Sequence, residues 1–423
     1  VTGATGYIGG RLVPRLTEKG HAVRVLARDA GRLEGRFSGV EVAQGDLFDR
    51  ASVGAALAGI DVAYYLVHSM ARDKGDFAAS DRELAAIFGT AARDAGVRRI
   101  IYLGGLGEKG RELSHHLRSR HEVGEILREA GVPVTEFRAA MIVGAGSASF
   151  EMLRYLTERL PVMIAPKWVD TPCQPIAVRD VLAYLVAELQ RTSSGDDTFE
   201  IGGADVLSYK AMMMQYAAIR GLRRSLVVVP FFTPRLSSAW VHLVTPIPAS
   251  IARPLIDGLR NPVVVRNPGA RAAFPGIKPM GYDEAVTRAL DRYSTVGPQT
   301  TWFDAYDART LEFPGNHARH ARRSPAGSDA SDARVALRRV HEPRREARLA
   351  VRRLFVGAAW RDGPLGGRHR NAPWAPLGDG TAFRRRGRFL ARRGLRARPL
   401  TALTRGDVAS RLCVVGIRSR GRR

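Results

Sequence analysis

The chain opens with Val1-Thr2-Gly3-Ala4-Thr5-Gly6-Tyr7-Ile8-Gly9-Gly10, and the spacing of its glycines decides how the rest is read. Gly3, Gly6 and Gly9 recur at three-residue intervals between a strand end and a helix start. Such a triplet lets the backbone turn sharply, lets a pyrophosphate approach the main chain, and lets the helix pack closely on a sheet. The helix that follows carries apolar Leu12, Val13 and Leu16 and polar Arg11, Arg15, Glu18 and Lys19, with its leading N–H groups directed at the turn. Gly20 closes it, and Ala22-Val23-Arg24-Val25-Leu26-Ala27 reads as the next strand. Alone, three glycines describe a tight turn. Inside a strand–turn–helix–strand unit they point to a dinucleotide site lined by Gly3, Thr5, Gly6, Tyr7, Ile8 and Gly9. Only Val1 and Thr2 precede the turn, whereas a buried parallel strand takes about five residues. We therefore expect most of the first, central strand to be missing from this sequence.

Outward from the turn, strand and helix patterns alternate. Residues 40–43 read as a strand ending in Gln44-Gly45-Asp46-Leu47, 52–58 as a helix, and 61–67 as a strand apolar nearly throughout. Residues 78–95 read as a long helix closed by Gly96, 99–103 as a strand ending at Gly104-Gly105, 115–130 as a helix and 132–138 as a strand. That alternation predicts an α/β fold, a doubly wound parallel sheet of Rossmann type with right-handed crossovers and ligands at the carboxyl ends of the strands. Past residue 149 the pattern loosens into helices at 150–160, 178–191, 208–220 and 282–293 with a short strand at 198–202. The expected organisation is a dinucleotide-binding domain over 1–148, a smaller substrate-side lobe over 149–312, and an Arg-rich tail over 313–423.

The tail accounts for the charge. The whole chain of 423 residues carries a formal +25, but residues 313–423 hold 28 Arg, no Lys and 7 acidic residues, a net +21, which leaves +4 on residues 1–312. The folded body is thus nearly neutral, and nucleic acid is not an expected partner despite the basic total. Three readings of the tail stand side by side: a basic arm, a disordered segment, or the product of a shifted reading frame, since lysine vanishes after Lys278. His317 and His320 lack the Cys or acidic neighbours of a metal site, and no metal is expected. Two cysteines far apart, Cys173 and Cys413, suit a reducing, cytoplasmic setting. No apolar run spans a bilayer, and residues 240–259, broken by Pro246, Pro248 and Pro254, read as a packed segment.

Thr2-Gly3-Ala4-Thr5-Gly6-Tyr7-Ile8-Gly9-Gly10, Gln44-Gly45-Asp46-Leu47, the 97–103 strand Val-Arg-Arg-Ile-Ile-Tyr-Leu and the 174–181 stretch Gln-Pro-Ile-Ala-Val-Arg-Asp-Val occur in one order. Together they resemble an atypical short-chain dehydrogenase/reductase of the NmrA-like or NAD(P)H-binding epimerase-like kind, over about residues 1–312. Tyr64-Tyr65-Leu66-Val67-His68-Ser69-Met70 resembles an uncharacterised bacterial branch of that superfamily. The resemblance implies that Gly3, Gly6 and Gly9 form the phosphate turn and that Asp46 and Leu47 contact adenine. After the strand at 22–27 comes Arg28, whose planar fork of donors suits a 2′-phosphate, so NADP is favoured; Asp29 beside it leaves NAD open.

The resemblance also implies a Ser after the 99–103 strand and a Tyr-x-x-x-Lys on the next helix. Gly104-Gly105 stands at the first place and His116-Leu117-Arg118-Ser119-Arg120 at the second. Histidine carries a proton at neutral pH, so His116 is the candidate proton carrier and Arg120 the candidate ribose contact; the alternative is an exposed helix face of mixed charge. Tyr102, Ser114, His115 and Ser119 are nearby substitutes. His68 and Ser69 face the same cleft in this topology, where His68 is a candidate contact for the cofactor nicotinamide or the substrate, the alternative being a cap on the next segment; Asp180 reads as a structural acid opening a helix. The expected function is NAD(P)-dependent oxidoreduction or epimerase-like chemistry on a small carbonyl or sugar-like substrate. A non-catalytic NAD(P)H-binding sensor or complex-stabilising subunit is the alternative. The helices at 79–96 and 115–130 resemble dimer seams of related proteins, which allows a homodimer.

Overall fold

Strand Ala22–Ala27 (β1) alternates its side chains between two buried faces, and so do the strands at 62–65, 99–105 and 134–139, as a sheet covered by helices on both sides requires. The computed structural model describes residues 1–68, 77–108, 113–192, 195–229, 247, 249–305 and 414–418. The other strands of the main sheet are β2 (Glu41–Gln44), β3 (Val62–Tyr65), β4 (Arg99–Gly105), β5 (Val134–Ala139), β6 (Asp197–Ile201) and β7 (Val414–Arg418). Their spatial order is β6-β5-β4-β3-β7-β1-β2. Every pairing is parallel except the two made by β7.

Helices α1 (Gly9–Glu18), α2 (Arg50–Leu57), α3 (Phe77–Asp94), α4 (His115–Glu129), α5 (Ala148–Arg159) and α6 (Val178–Ala187) follow the strands. Leu12, Val13 and Leu16 of α1 and Val181, Leu182 and Leu185 of α6 cover one face, against Val25, Tyr64, Ile101 and Phe137. Val53, Leu57, Leu84, Phe88, Val123 and Leu127 of α2, α3 and α4 cover the other, against Leu26, Ala63, Tyr65, Ile100 and Tyr102. The doubly wound architecture expected from the sequence is the one observed.

β7 departs from the all-parallel expectation. It lies antiparallel between β1 and β3, with Val25 opposite Val415 and Val62 opposite Ile417. In a doubly wound sheet that place belongs to the strand leading into the glycine turn. Two strand edges facing one slot carry N–H and C=O groups that must be paired, and Val-Val-Gly-Ile is rich in strand-forming β-branched residues. At the top of the slot the Thr2 amide donates to the Tyr64 carbonyl at 2.5 Å. The three readings of the tail otherwise concern residues outside those described, as do His317, His320 and Ser69.

A third apolar cluster underlies α5, α7 (Tyr209–Ile219), α8 (Ala249–Gly258) and α10 (Tyr282–Thr295), whereas the short α9 (Gly269–Ala273) packs on the α1 and α6 face of the main sheet through Ala270. Phe150, Leu153, Met212, Tyr216, Ile251, Ile256 and Val286 form the centre of the third cluster. Of the 240–259 segment, the part in α8 is packed as expected. Two expectations change. The strand read at 198–202 as part of the lobe is β6, which extends the main sheet beside β5. The helix read to 191 ends at Ala187 and passes into a 3₁₀ turn, Glu188–Gln190.

Glu188 explains that change. It is fully buried and takes Arg99 of β4 at 2.9 Å, the Thr135 hydroxyl of β5 at 2.7 Å and Arg191 at 2.9 Å. The turn swings this carboxylate under the sheet, where it ties three elements together. Removing it takes the buried carboxylate from two poorly solvated guanidinium groups, leaving Arg191 with Asp197 and Arg99 with the Arg191 carbonyl. Glu188→Ala is expected to lower the unfolding free energy by about 3–5 kcal/mol, read from urea denaturation; a loss under 1 kcal/mol would show the node to be dispensable.

Candidate active site

Gly3 adopts φ +75°, a left-handed conformation that glycine takes without strain, and this turns the chain into α1. Gly9 serves close packing: a Cβ there would stand 2.3 Å from the Gly3 carbonyl oxygen. The Gly6 amide donates to Gly3 at 2.7 Å and its carbonyl receives Gly10 at 3.0 Å, which closes the turn onto the helix. α1 has no side-chain cap and no acidic residue in its first turn. Its positive end therefore meets the turn uncompensated, a donor set that fits a pyrophosphate. The Tyr7 side chain points inward instead, beneath the Arg11 guanidinium at 4.2 Å from the ring centre, and burial drives its phenol pKa upward. Of Thr5, Tyr7 and Ile8, Tyr7 thus leaves its main chain for a ligand and its ring for packing.

Arg28 and Asp46 stand together where β1 and β2 end, with guanidinium and carboxylate 3.9 Å apart. The Gly45 amide donates to Ala27 at 3.0 Å and holds the two strand ends in register. Asp46 also accepts the Phe48 amide at 3.1 Å. The Leu47 side chain is fully buried in the core under α2, so only its backbone faces the carboxyl edge.

The other end of that edge carries a cluster of hydrogen-bonded titratable side chains. His68, just past β3, places Nδ1 2.8 Å from Asp81 Oδ2 and Nε2 3.1 Å from His116 Nδ1. Asp81 is 2% exposed and also receives the Ser119 hydroxyl at 3.1 Å. The result is a chain of hydrogen bonds, Asp81–His68–His116, running from α3 to the first turn of α4. Burial holds the His116 imidazole well below its usual pKa, with His68 and Arg120 pushing the same way, so it is neutral at pH 7. Its ring forms part of the wall of a cavity beyond Gly105 and Ala139.

The remaining candidates have other duties. Arg120 donates to the Val67 carbonyl at 3.2 Å and to the Leu103 carbonyl, bracing the ends of β3 and β4. Its own carbonyl accepts the Tyr102 hydroxyl at 2.8 Å. Ser114 caps α4 through the Leu117 amide, and His115 meets Phe77 edge-on at 5.0 Å. Asp180 does not cap α6; it receives the Met280 amide at 2.8 Å and pairs with Arg179, a structural role across the chain.

Asp81 was missed in the sequence, although it left a trace. On α3 the buried stripe Ala78, Leu84, Ala85 and Phe88 has Asp81 in it, an acid on a face where burial demands a partner. Among the described residues no group of His, Cys, Asp and Glu is placed to hold a metal, and no helix is long and apolar enough to cross a membrane.

Comparison with known proteins agrees with this geometry. Residues 3–148 match the NAD(P)H-binding family. The (4-alkanoyl-5-oxo-2,5-dihydrofuran-3-yl)methyl phosphate reductase of Streptomyces griseus is 29% identical over 228 residues, which cover 52% of this chain and 73% of that protein. The triphenylmethane reductase of Citrobacter, solved with NADP(H), superposes with a TM-score of 0.54 at 19% identity, covering 68% of this chain and 98% of that one. An NADPH-dependent quinone oxidoreductase of Escherichia coli, solved with NADPH, gives 0.55 at 18%, with coverage of 68% and 98%. Residues 3–148 thus carry the NAD(P)H-binding domain that the family model describes, and the chain shares its fold with these reductases.

Proposed function

We propose that the protein is an NADPH-dependent reductase of a carbonyl substrate in which His116 takes the place of the superfamily's tyrosine. The observation that carries this reading is the Asp81–His68–His116 chain, which leads from a buried carboxylate to a cavity wall at the carboxyl edge of the sheet. NADP(H) would be held by the backbone of residues 3–9, by Asp46 and the Leu47 main chain, and by Arg28 at a 2′-phosphate. When bound, its nicotinamide supplies the hydride. The protein's own residues supply the proton.

In its protonated form His68 donates from both ring nitrogens, to Asp81 and to His116 Nδ1. That leaves the Nε2–H of neutral His116 as donor to the substrate oxygen. As the oxygen takes this proton, His116 Nδ1 receives the one on His68 Nε2, and His68 ends neutral with its Nδ1–H still on Asp81. His116 need never become charged, which suits an imidazole whose pKa burial has lowered. On product release His116 Nδ1 returns its proton to His68 Nε2 and water entering the cleft reprotonates His116 Nε2, which resets the relay.

Asp81 and Arg120 act as positioning residues, Asp81 on His68 and Arg120 on the ends of β3 and β4. We take the setting as cytoplasmic, with Cys173 a buried free thiol, and α3 with α4 as the face of any homodimer. One observation favours the non-catalytic alternative: Arg120, which stands where relatives have a lysine, spends donors on main-chain carbonyls.

His116→Ala is expected to lower kcat for carbonyl reduction by about 10²–10⁴-fold with the Kd for NADPH unchanged. Asp81→Asn should lower it less, because it loosens the hold on His68 and leaves His116 in place; a kcat equal to that of the wild type would show Asp81 to be dispensable. Absence of NADPH oxidation by wild-type protein across ketones and aldehydes would turn the reading toward a sensor. Arg28→Ala should raise the KM for NADPH about 10–100-fold, the worth of one charge-assisted contact, while that for NADH changes less than twofold; equal effects on both would refute the 2′-phosphate assignment.

A further inference from the structure

We propose that the substrate is an apolar carbonyl compound, an aromatic ring or alkyl chain bearing a single ketone or aldehyde group, and not a sugar. The proposal rests on the reading of His116 as proton donor. Beyond His116 lies a cavity of ≈ 170 Å³, walled by α5, α7, α8 and the carboxyl edge of β4 and β5. A cavity of about 150 Å³ lined by aliphatic side chains stays dry and admits benzene. This one therefore has room for one aromatic ring or a chain of comparable length.

Among the described residues the lining is almost wholly apolar and carries no Asp, Glu, Lys or Arg. Leu153, Leu156 and Leu259 form much of it, together with four methionines, Met141, Met152, Met163 and Met213. Methionine is unbranched and polarisable, so such a wall adapts to rings and chains of differing outline. Polar side-chain atoms come from His116, Ser149, Trp168 and Tyr209. Tyr209 is engaged with the buried Cys173 thiol, itself pushed up to about 11 by burial. A sugar would bring a hydroxyl on nearly every carbon, and each one buried without a partner costs roughly 5–150-fold in affinity. A ketone brings one oxygen. Among the described residues His116 is the imidazole in the wall, and one carbonyl is what it can serve.

The test uses the full chain and NADPH with methyl ketones from 2-butanone to 2-decanone, acetophenone, and the sugars glyceraldehyde and erythrose. kcat/KM is expected to rise about fourfold per methylene until the cavity is filled, with acetophenone among the better substrates and the sugars at background. A flat series, or sugars reduced better than 2-octanone, overturns the proposal while loss of turnover in His116→Ala still upholds the proton relay. A second measurement needs no turnover: the fluorescent one-ring ketone 4-(dimethylamino)acetophenone should bind saturably and be displaced by 2-octanone. Met213→Lys should weaken that binding at least about tenfold with NADPH affinity unchanged. Saturable binding without any NADPH oxidation supports the ligand class and refutes the catalytic reading. Failure of the fluorescent ketone to bind refutes the ligand class itself.

Discussion

The close approach of α1 to the turn before it is the constraint on which the rest depends. Where Gly9 begins the helix, the Gly3 carbonyl lies so near that a Cβ would sit 2.3 Å from it. Only a chain without side chains at these points brings an uncapped helix end against the carboxyl edge of a parallel sheet. That geometry concentrates backbone donors at one place and leaves the neighbouring strand ends to carry side-chain chemistry. Arg28 and Asp46 occupy one side of the turn, and His68, Asp81 and His116 the other. The cofactor-facing and substrate-facing groups therefore follow from a single topological fact, the order in which the strands are laid down.

The proton relay illustrates how burial makes chemistry from ordinary residues. A carboxylate inside an apolar helix face is costly unless paired, and Asp81 meets that cost with His68 and Ser119. The arrangement orients His68, which in turn holds His116 by one nitrogen and frees the other for the cavity. Relatives in the superfamily use a lysine to make a tyrosine acidic. In the proposed relay an acid and two imidazoles form the path instead. Arg120, at the position that the resemblance assigns to that lysine, braces the carbonyls of Val67 and Leu103.

Local signals carried much of this. The glycine triplet, the Ala22–Ala27 strand and helices α3 and α4 stand within two residues of their sequence-derived limits, because each announces itself by periodicity or by a closing glycine. His116 was legible through its spacing to Arg120, and His68 through its place past an apolar strand. Pairing across the chain was not legible. β6 was read as part of the lobe, since no local pattern says that it lies beside β5, and Glu188 ended α6 early for the sake of arginines in other elements. The antiparallel β7 belongs to the same class, a strand whose partners lie some 350 to 390 residues earlier in the chain. Asp81 was hidden for a different reason: its partners come from two other elements, and only burial marks it out.

The central claim is that a phosphorylated nucleotide rests on the backbone of the opening turn at Gly6, where Gly3 and Gly9 serve the fold itself. Calorimetric titration of NADPH into wild-type protein and Gly6→Leu tests this directly, with thermal unfolding of both as the control for folding. The account predicts a loss of affinity of at least about tenfold at a melting temperature close to that of the wild type. Equal affinity in the two proteins would contradict it.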